Sequence, residues 1–397
     1  MSGSTLAERI DPRNNSINAL RLALAFCVLL SHSIKFSTDG NDFIGSWTHS
    51  SVDLGTMGVD GFFALSGYLI VGSYLSSPTT VRYLWRRCLR ILPGFWVCLV
   101  VTALVIGPLT ALFATGNVAD YAWTGQNSAL TYMTNNALLE IRQFEITGGY
   151  GGEPVNGSLH TLFYEFLCYL AVAAAGVLGV FRLRRSPVGI LVIAGWMLAA
   201  LAAFVAPTLL VGHTSRELLF RFGSMFLFGG LAHLFAHRIR ISPVGYLAAT
   251  SVLAAGLAAG IVFAGSPVSE ERGLVVYTLL AAPAMAYVVL GLGASTRFAH
   301  IGSKRDLSYG LYVYAWPIQI TLVILGAAAW WQPFFIATTL ALSLAMAYVS
   351  WTCIEAPALR LKSWTPPSRR RSKPTTSQRL PDDTSAGSSD EMRRSNR

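Results

Sequence analysis

The chain has 397 residues, of which 53% are hydrophobic and only 13% are charged, and its formal net charge is +10. Soluble domains carry about 25% charged residues, so this composition excludes a soluble globular protein and predicts an all-helical, polytopic membrane protein. Much of the positive charge lies in short loops and in the tail, where it sets membrane topology. It therefore does not indicate nucleic-acid binding.

Apolar runs of about 20 residues, the length that crosses a bilayer, recur along the sequence. We predict ten transmembrane helices, at 17–36, 57–75, 91–115, 159–181, 187–211, 218–236, 243–264, 272–294, 306–327 and 332–354. Residues 1–16 form a short N-terminal segment and 17–357 form the membrane domain. Residues 358–397 form a basic tail, rich in Ser, Pro and Arg, that we predict to be disordered.

The loops between the predicted spans alternate in charge. The loops after the second, fourth, sixth, eighth and tenth spans contain Arg and Lys, and the intervening loops are poor in both. Because cytoplasmic loops carry the excess of Lys and Arg, both termini are expected in the cytoplasm. The long outer loop 116–158 is rich in Gly, Asn and aromatic residues. It is either a plain surface loop or a segment that folds over a site.

Two ionisable side chains, Arg21 and His32, interrupt the first predicted span. Eleven residues at about 100° each place them within roughly 20° of one helix face and about 16 Å apart along the axis. Arg and His inside a membrane helix normally face protein or water rather than lipid. This face therefore indicates a site with a fixed cation at one end and a proton-transfer group at the other.

Further ionisable residues are expected at the membrane depths of His32 and of Arg21. With the N-terminus inside, His32, Asp60 and Glu165 all lie in the outer half of the membrane. A histidine with an orienting carboxylate suits general base catalysis, so these three are the candidate catalytic residues. At the cytoplasmic side, Arg87 and Arg90 are i,i+3 neighbours on one helix face. Such a pair suits a diphosphate or polyphosphate group.

Six segments, in order from residue 18 to residue 357, resemble the acyltransferase-3 family of membrane O-acyltransferases. They are NALRLALAFCVLLSH, MGVDGFFALSGYLI, RRCLRILPGFW, NGSLHTLFYEFLCYL, LSYGLYVYAWP and IEAP. The resemblance implies acyl-CoA as a co-substrate from the cytoplasm, with no permanently bound cofactor and no metal. It also implies an acceptor hydroxyl at the outer face, on a cell-envelope glycan, a glycolipid or a metabolite sugar. The expected place is a bacterial cell membrane, in contact with lipid and without a nucleic-acid partner.

The resemblance also implies roles for individual residues. His32 corresponds to the catalytic histidine, as a general base or as a transient acyl carrier, and Arg21, Arg87 and Arg90 correspond to residues that handle the donor. Possible substrate contacts are Ser66, Asn156, His160 and Tyr309. The family often has Trp where this chain has His160. That histidine is therefore either a second proton carrier or a polar side chain at the membrane interface.

Each assignment has a structural alternative. Asp60 could be an N-terminal helix cap, Glu165 could bond a neighbouring helix, and Arg87 and Arg90 could be topology anchors. The alternative for the whole protein is a transporter or flippase of a lipid-linked or acylated sugar, with its intramembrane charges lining the path. The two halves of the sequence show no clear relation to each other, which disfavours the transporter.

Overall fold

A computed structural model describes residues 4–38, 40–49, 51–183, 185–206 and 214–363. Most of these residues are helical, and the described part of the chain contains no β-sheet and only isolated bridges. This confirms the all-helical prediction. Residues 364–397, most of the predicted disordered tail, lie outside the described residues.

Fifteen α-helices follow one another in the described ranges. They are α1 (Leu6–Arg9), α2 (Ile17–Thr38), α3 (Phe43–Trp47), α4 (Leu54–Leu75), α5 (Thr80–Val101), α6 (Gly107–Thr115), α7 (Ala129–Asn135), α8 (His160–Val177), α9 (Arg185–Val205), α10 (Thr214–Leu234), α11 (Pro243–Val262), α12 (Pro267–Gly293), α13 (Ser308–Ile324), α14 (Gln332–Ser350) and α15 (Ala356–Arg360). Two π-helical turns, Thr102–Ile106 and Trp351–Glu355, join α5 to α6 and α14 to α15.

Eight helical segments of the described residues are long and apolar enough to cross a membrane. They are Ile17–Thr38, Leu54–Leu75, Thr80–Thr115, Gly157–Val177, Ser186–Val205, Pro243–Val262, Val268–Gly293 and Gln332–Ser363. The other two predicted spans, 218–236 and 306–327, correspond to α10 and α13. α10 carries charged residues, including Glu217 and Arg221, and α13 has only 17 residues. α10 is therefore less apolar than the eight segments named above, and α13 is shorter than any of them.

Glycines allow α4 and α10 to approach each other closely. A Cβ atom on Gly67 would lie 2.0 Å from the carbonyl oxygen of Phe226. A Cβ atom on Gly229 would lie 1.9 Å from the carbonyl oxygen of Ala64. Small residues permit such backbone contact between membrane helices, where packing rather than water exclusion drives association. The two backbones therefore touch on both sides of the helix crossing.

The long segment 116–158 folds back onto the helices. The hydroxyl of Tyr121 donates a hydrogen bond to the carbonyl of Ala103, and the hydroxyl of Tyr150 donates to the carbonyl of Thr102 at 3.2 Å. Both carbonyls belong to the π-helical turn after α5. Such turns leave backbone acceptors that need other donors, and the tyrosines supply them. The segment is therefore anchored to the end of α5.

The contact between α4 and α10 predicts that replacing two glycines of α10, Gly229 and Gly223, by alanine changes the stability of the protein by different amounts. We expect Gly229→Ala to lower the free energy of unfolding by about 1–3 kcal/mol, because its methyl group must push the two backbones apart. Gly223→Ala is the matched control, since a Cβ atom there meets no other atom within 4 Å. Thermal unfolding of the purified variants in detergent measures both. Equal midpoints for the two variants would contradict the close contact.

Candidate functional site

Three internal cavities contain most of the predicted site residues. The first, of about 70 Å³, is lined by Arg21, Arg87 and Arg90 and is called here the arginine cavity. The second, the middle cavity, has a volume of about 50 Å³ and is lined by Glu165 among others. The third, of about 360 Å³, is the His32 cavity. The structure thus places the predicted cations and the predicted histidine at different cavities.

Shared side chains place these cavities in series. Arg21, Ser66 and Glu165 line both the arginine cavity and the middle cavity. Thr161 and Tyr312 line both the middle cavity and the His32 cavity. Their hydroxyl oxygens are 2.6 Å apart, so this hydrogen-bonded pair forms part of the wall between the two. The series therefore leads from the arginines, past Glu165, to His32.

At the arginine cavity, Arg21 and Arg90 share one carboxylate. Nη1 of Arg21 lies 2.6 Å from Oδ2 of Asp306, and Nη2 of Arg90 donates to the same oxygen. Both guanidinium groups and two hydrogen bonds from Ser308, from its backbone amide and its hydroxyl, favour the ionised form of the Asp306 carboxylate. Asp306 therefore stays ionised and fixes both arginines.

Arg87, the other member of the predicted pair, lies outside this cluster. Its Nη2 donates to the hydroxyl of Ser73 at 3.2 Å, and its guanidinium lies 6.0 Å from the centre of the Tyr169 ring. Within the described ranges, no carboxylate is ion-paired with Arg87. The two arginines of the R-x-x-R pattern therefore differ. The charge of Arg90 is shared with Asp306, whereas Arg87 has no such ion-pair partner among the described residues.

Glu165 lies beside the middle cavity and bonds two neighbouring hydroxyl groups. Its Oε1 accepts from Ser66 at 3.0 Å and from Tyr169 at 2.6 Å. Tyr309, a predicted substrate contact, lines the same two cavities as Glu165, and its hydroxyl donates to the carbonyl of Ile91 at 2.8 Å. Ser66, Glu165 and Tyr309 are therefore brought together, at a distance along the series from His32.

Asp60 is fully buried and forms an ion pair with Arg221. Nε of Arg221 lies 2.8 Å from Oδ1 of Asp60, and the hydroxyl of Tyr277 donates to Oδ2 at 2.7 Å. Asp60 or Glu165 was expected to orient His32, but each of these carboxylates bonds other side chains instead. Arg221 lines the His32 cavity and Asp60 does not. Asp60 therefore contacts a residue of that cavity wall but lies behind it.

His32 is held by aromatic packing. Its ring lies edge-on to Trp316, with the ring centres 4.8 Å apart, and 6.0 Å from the ring centre of Phe36. Nδ1 of His32 is buried and has no hydrogen-bond partner among the described residues. Trp316 is itself fixed, because its Nε1 donates to the carbonyl of Pro154 at 2.9 Å. The packing therefore fixes the position of the His32 ring. No hydrogen bond to Nδ1 among the described residues fixes which ring nitrogen carries the proton.

His160 lines the same cavity and has a defined proton. Its Nδ1 lies 2.5 Å from the carbonyl oxygen of Gly157. A carbonyl only accepts, so Nδ1 must donate, and Nε2 is the basic nitrogen of the neutral ring. The remaining predicted contact, Asn156, donates to the carbonyl of Val313 at 2.8 Å and accepts from the Ser158 amide. Asn156 therefore caps the turn before α8.

Ionisable residues that line cavities among apolar helices mark functional sites in membrane proteins. The family model described as an acyltransferase domain matches residues 14–352, so the chain belongs to the acyltransferase-3 family. Together with the apolar helices, this defines a multi-pass membrane protein of an acyltransferase family.

Two named proteins are similar over most of the chain. Nodulation protein 10 of Rhizobium leguminosarum bv. viciae is 27% identical over 384 residues, which cover 90% of this chain and 96% of that protein. The O-acetyl transferase of Shigella phage Sf6 is 24% identical over 353 residues, which cover 86% of this chain and 95% of that protein. No solved structure matches the chain.

Sequence reasoning missed two charged residues of the site. Arg221 lies within the predicted span 218–236. The rule that drew attention to Arg21, that an ionisable residue within a span marks a site, would have found it as well. Asp306 is the first residue of the predicted span 306–327, directly after Lys304 and Arg305, and no sequence signal distinguished it from other residues at span ends.

The shared carboxylate predicts a large loss of stability in Asp306→Asn. Removing it leaves two partly buried guanidinium groups, 23% and 15% exposed, close together, at a cost of up to about 3 kcal/mol in the free energy of unfolding. Glu140→Gln is the control, because the Glu140–Arg142 pair is exposed and contributes less than about 1 kcal/mol. Denaturant unfolding in mild detergent compares the two. A similar midpoint for both would show that Asp306 does not hold the arginines.

Proposed function

We propose that this protein is a membrane O-acyltransferase that moves an acyl group, in the simplest case acetyl, from acyl-CoA to a hydroxyl group. The acceptor is a cell-envelope glycan, a glycolipid or a metabolite sugar. The observation that carries the proposal is the series of three cavities with arginines at one end and His32 at the other. Family membership and the name of the phage relative support acyl transfer to oxygen.

The donor fits the series by charge and by length. The phosphates of CoA would pair with Arg87 and the neighbouring guanidinium groups through charge-assisted hydrogen bonds. Arg21 and His32 are eleven residues apart on α2, about 16 Å along the helix axis. An extended pantetheine arm spans a distance of that order, so the thioester would reach His32 while the phosphates stay at the arginines.

The acceptor hydroxyl needs a group that accepts its proton when it attacks the thioester. A neutral imidazole is the usual proton acceptor near neutral pH. His32 meets this need as a general base, or serves as a nucleophile that carries the acyl group between donor and acceptor. Both mechanisms predict that the imidazole of His32 is indispensable.

Topology gives the two ends of the series different partners. The positive-inside pattern puts both termini and the arginine cavity on the cytoplasmic side, where acyl-CoA is made, and puts His32 toward the outer face. In this arrangement α10 and α13 complete a set of ten spans. The protein then acylates acceptors at the outer face of a bacterial cell membrane, with a donor taken from the cytoplasm.

The proposal predicts that His32→Ala abolishes thiol release from acetyl-CoA. Purified protein in liposomes, with cell-envelope extract as acceptor, should release thiol at a rate that falls about 10²–10⁴-fold in the variant, the usual contribution of a catalytic imidazole. His237→Ala is the matched control, because His237 is exposed at the turn after α10 and should leave the rate unchanged.

Two results would contradict the proposal in different ways. A wild-type rate in His32→Ala would remove His32 from the chemistry while leaving an acyltransferase. No thiol release by the wild-type protein from acyl-CoAs of several chain lengths would overturn the proposed activity itself.

The proposed topology predicts a sided reaction. Acetyl-CoA does not cross membranes, so sealed inside-out membrane vesicles, which expose the cytoplasmic face, should release thiol from added acetyl-CoA. Sealed right-side-out vesicles should do so only after permeabilisation. Release from intact right-side-out vesicles would mean that the arginine cavity opens to the outer face.

A further inference from the structure

A further cavity, of about 360 Å³, lies between α8, α9 and α10 and is called here the α9 cavity. Every residue that lines it is apolar, a glycine or a cysteine, and none of them lines the three cavities of the candidate site. We propose that the α9 cavity binds one acyl chain of an anionic phospholipid, whose phosphate group is held by Arg182 and Arg238. This inference does not depend on the proposed acyl transfer.

The α9 cavity exists because α9 packs loosely on its neighbours. Only 17% of its apolar window is buried inside the protein, the smallest share among the eight apolar segments. α9 contacts α10 where Nε1 of Trp196 donates to the Ser224 hydroxyl at 2.8 Å, and where Gly189 lies against the Phe235 ring. Gly223 lines the cavity, and a Cβ atom on it would meet no other atom within 4 Å. Since protein interiors leave few empty spaces, an apolar space of this size in a membrane protein indicates a bound apolar group.

The α9 cavity is long enough for an acyl chain of one membrane leaflet. Its lining residues on α10 run from Leu219 to Leu234, about 22 Å along the helix axis at 1.5 Å per residue. The chains of one leaflet cover about 15 Å, half of a hydrocarbon core about 30 Å thick. On α9, Ile190 and Leu191 are 68% and 71% exposed, as expected of a helix that borders lipid. A chain can therefore lie along α10 without leaving the hydrocarbon layer.

Two arginines lie at the end of the α9 cavity that the positive-inside pattern places at the cytoplasm. Arg182 is exposed and directly follows Phe181, which lines the cavity. Arg238 is exposed as well. Its Nη1 donates to the Ser186 hydroxyl at 3.1 Å, and its guanidinium lies 5.8 Å from the centre of the Phe235 ring. In the described part of the chain, neither arginine forms an ion pair with a carboxylate.

The charge of these arginines selects the head group. Basic groups at the cytoplasmic end of a gap between membrane helices bind anionic lipid head groups, and each arginine strengthens binding about fivefold. A phosphatidylglycerol head group has a net negative charge, whereas phosphatidylcholine carries a positive group beside its phosphate. With its chain beside Gly223 and its phosphate at Arg182 and Arg238, one lipid would join the segment after α8 to the segment after α10.

Native mass spectrometry of the full-length protein in mild detergent tests the head group, with phosphatidylglycerol and phosphatidylcholine of identical chains as probes. We expect one phosphatidylglycerol to bind more tightly than phosphatidylcholine. Arg182→Gln and Arg238→Gln should each weaken phosphatidylglycerol binding about fivefold. Arg297→Gln is the matched control, because Arg297 is exposed in another basic loop and likewise lies over a phenylalanine ring, that of Phe298. It should bind phosphatidylglycerol as the wild type does.

A pair of glycine substitutions tests where the acyl chain lies. Gly223→Phe places a ring in the α9 cavity, so we expect it to weaken phosphatidylglycerol binding about tenfold or more. Gly195→Phe is the matched control: a Cβ atom on Gly195 also meets no other atom within 4 Å, but Gly195 is exposed on α9 and does not line the cavity. Its binding of phosphatidylglycerol should equal that of the wild type.

Each arm can overturn the proposal. Equal affinity for the two lipids, or unchanged binding in both arginine variants, would show that no anionic head group is held at this end of the cavity. Unchanged binding in a folded Gly223→Phe protein would show that the chain lies elsewhere. Thermal unfolding in detergent shows whether that variant folds, and Gly223→Leu, a smaller filling of the same space, replaces it if it does not. All of these measurements omit acyl-CoA, so their failure would leave the proposed function intact.

Discussion

The ion cluster of Asp306 with Arg21 and Arg90 is the constraint on which the rest of the site depends. An unpaired Arg among apolar helices costs about 3 kcal/mol on insertion scales, so pairing Arg21 and Arg90 with a carboxylate lowers the cost of burying them. One carboxylate serves both, and it joins α2 and α5 to the residues just before α13. Those contacts fix which face of α2 looks inward, and the inward face carries His32 eleven residues later.

The ion pair of Asp60 with Arg221 combines charge with packing. It joins α4 to α10, and the hydroxyl of Tyr277 adds α12. The same two helices also approach closely at Gly67 and Gly229, where their backbones are in contact. Small residues and opposite charges therefore act together: the glycines set the helix distance, and the charges set the rotation of each helix.

Hydropathy was sufficient to predict the all-helical fold, because an apolar run of spanning length has few other folds open to it. Spacing along one helix predicted a site face that carries Arg21 and His32, and the structure places these two residues at different cavities of the series. The partners of Asp60 could not be predicted in the same way. Arg221 is 161 residues further along the chain, and helical spacing gives the depth of a residue but not the helix that faces it. The fixed proton of His160 was also hidden, since it depends on a backbone carbonyl in a loop.

α13 connects the two ends of the series although its own 17 residues carry no charge. Asp306 precedes its first turn and holds the arginines, and Trp316 lies in its middle turns. The Trp316 ring packs edge-on against His32, lies against Gly157 and donates to the loop carbonyl of Pro154. Because the Gly157 carbonyl fixes the proton of His160, one aromatic side chain positions both imidazoles. A displacement of α13 would therefore disturb the arginine cavity and the His32 cavity together, and the close packing of its many buried residues opposes such a displacement.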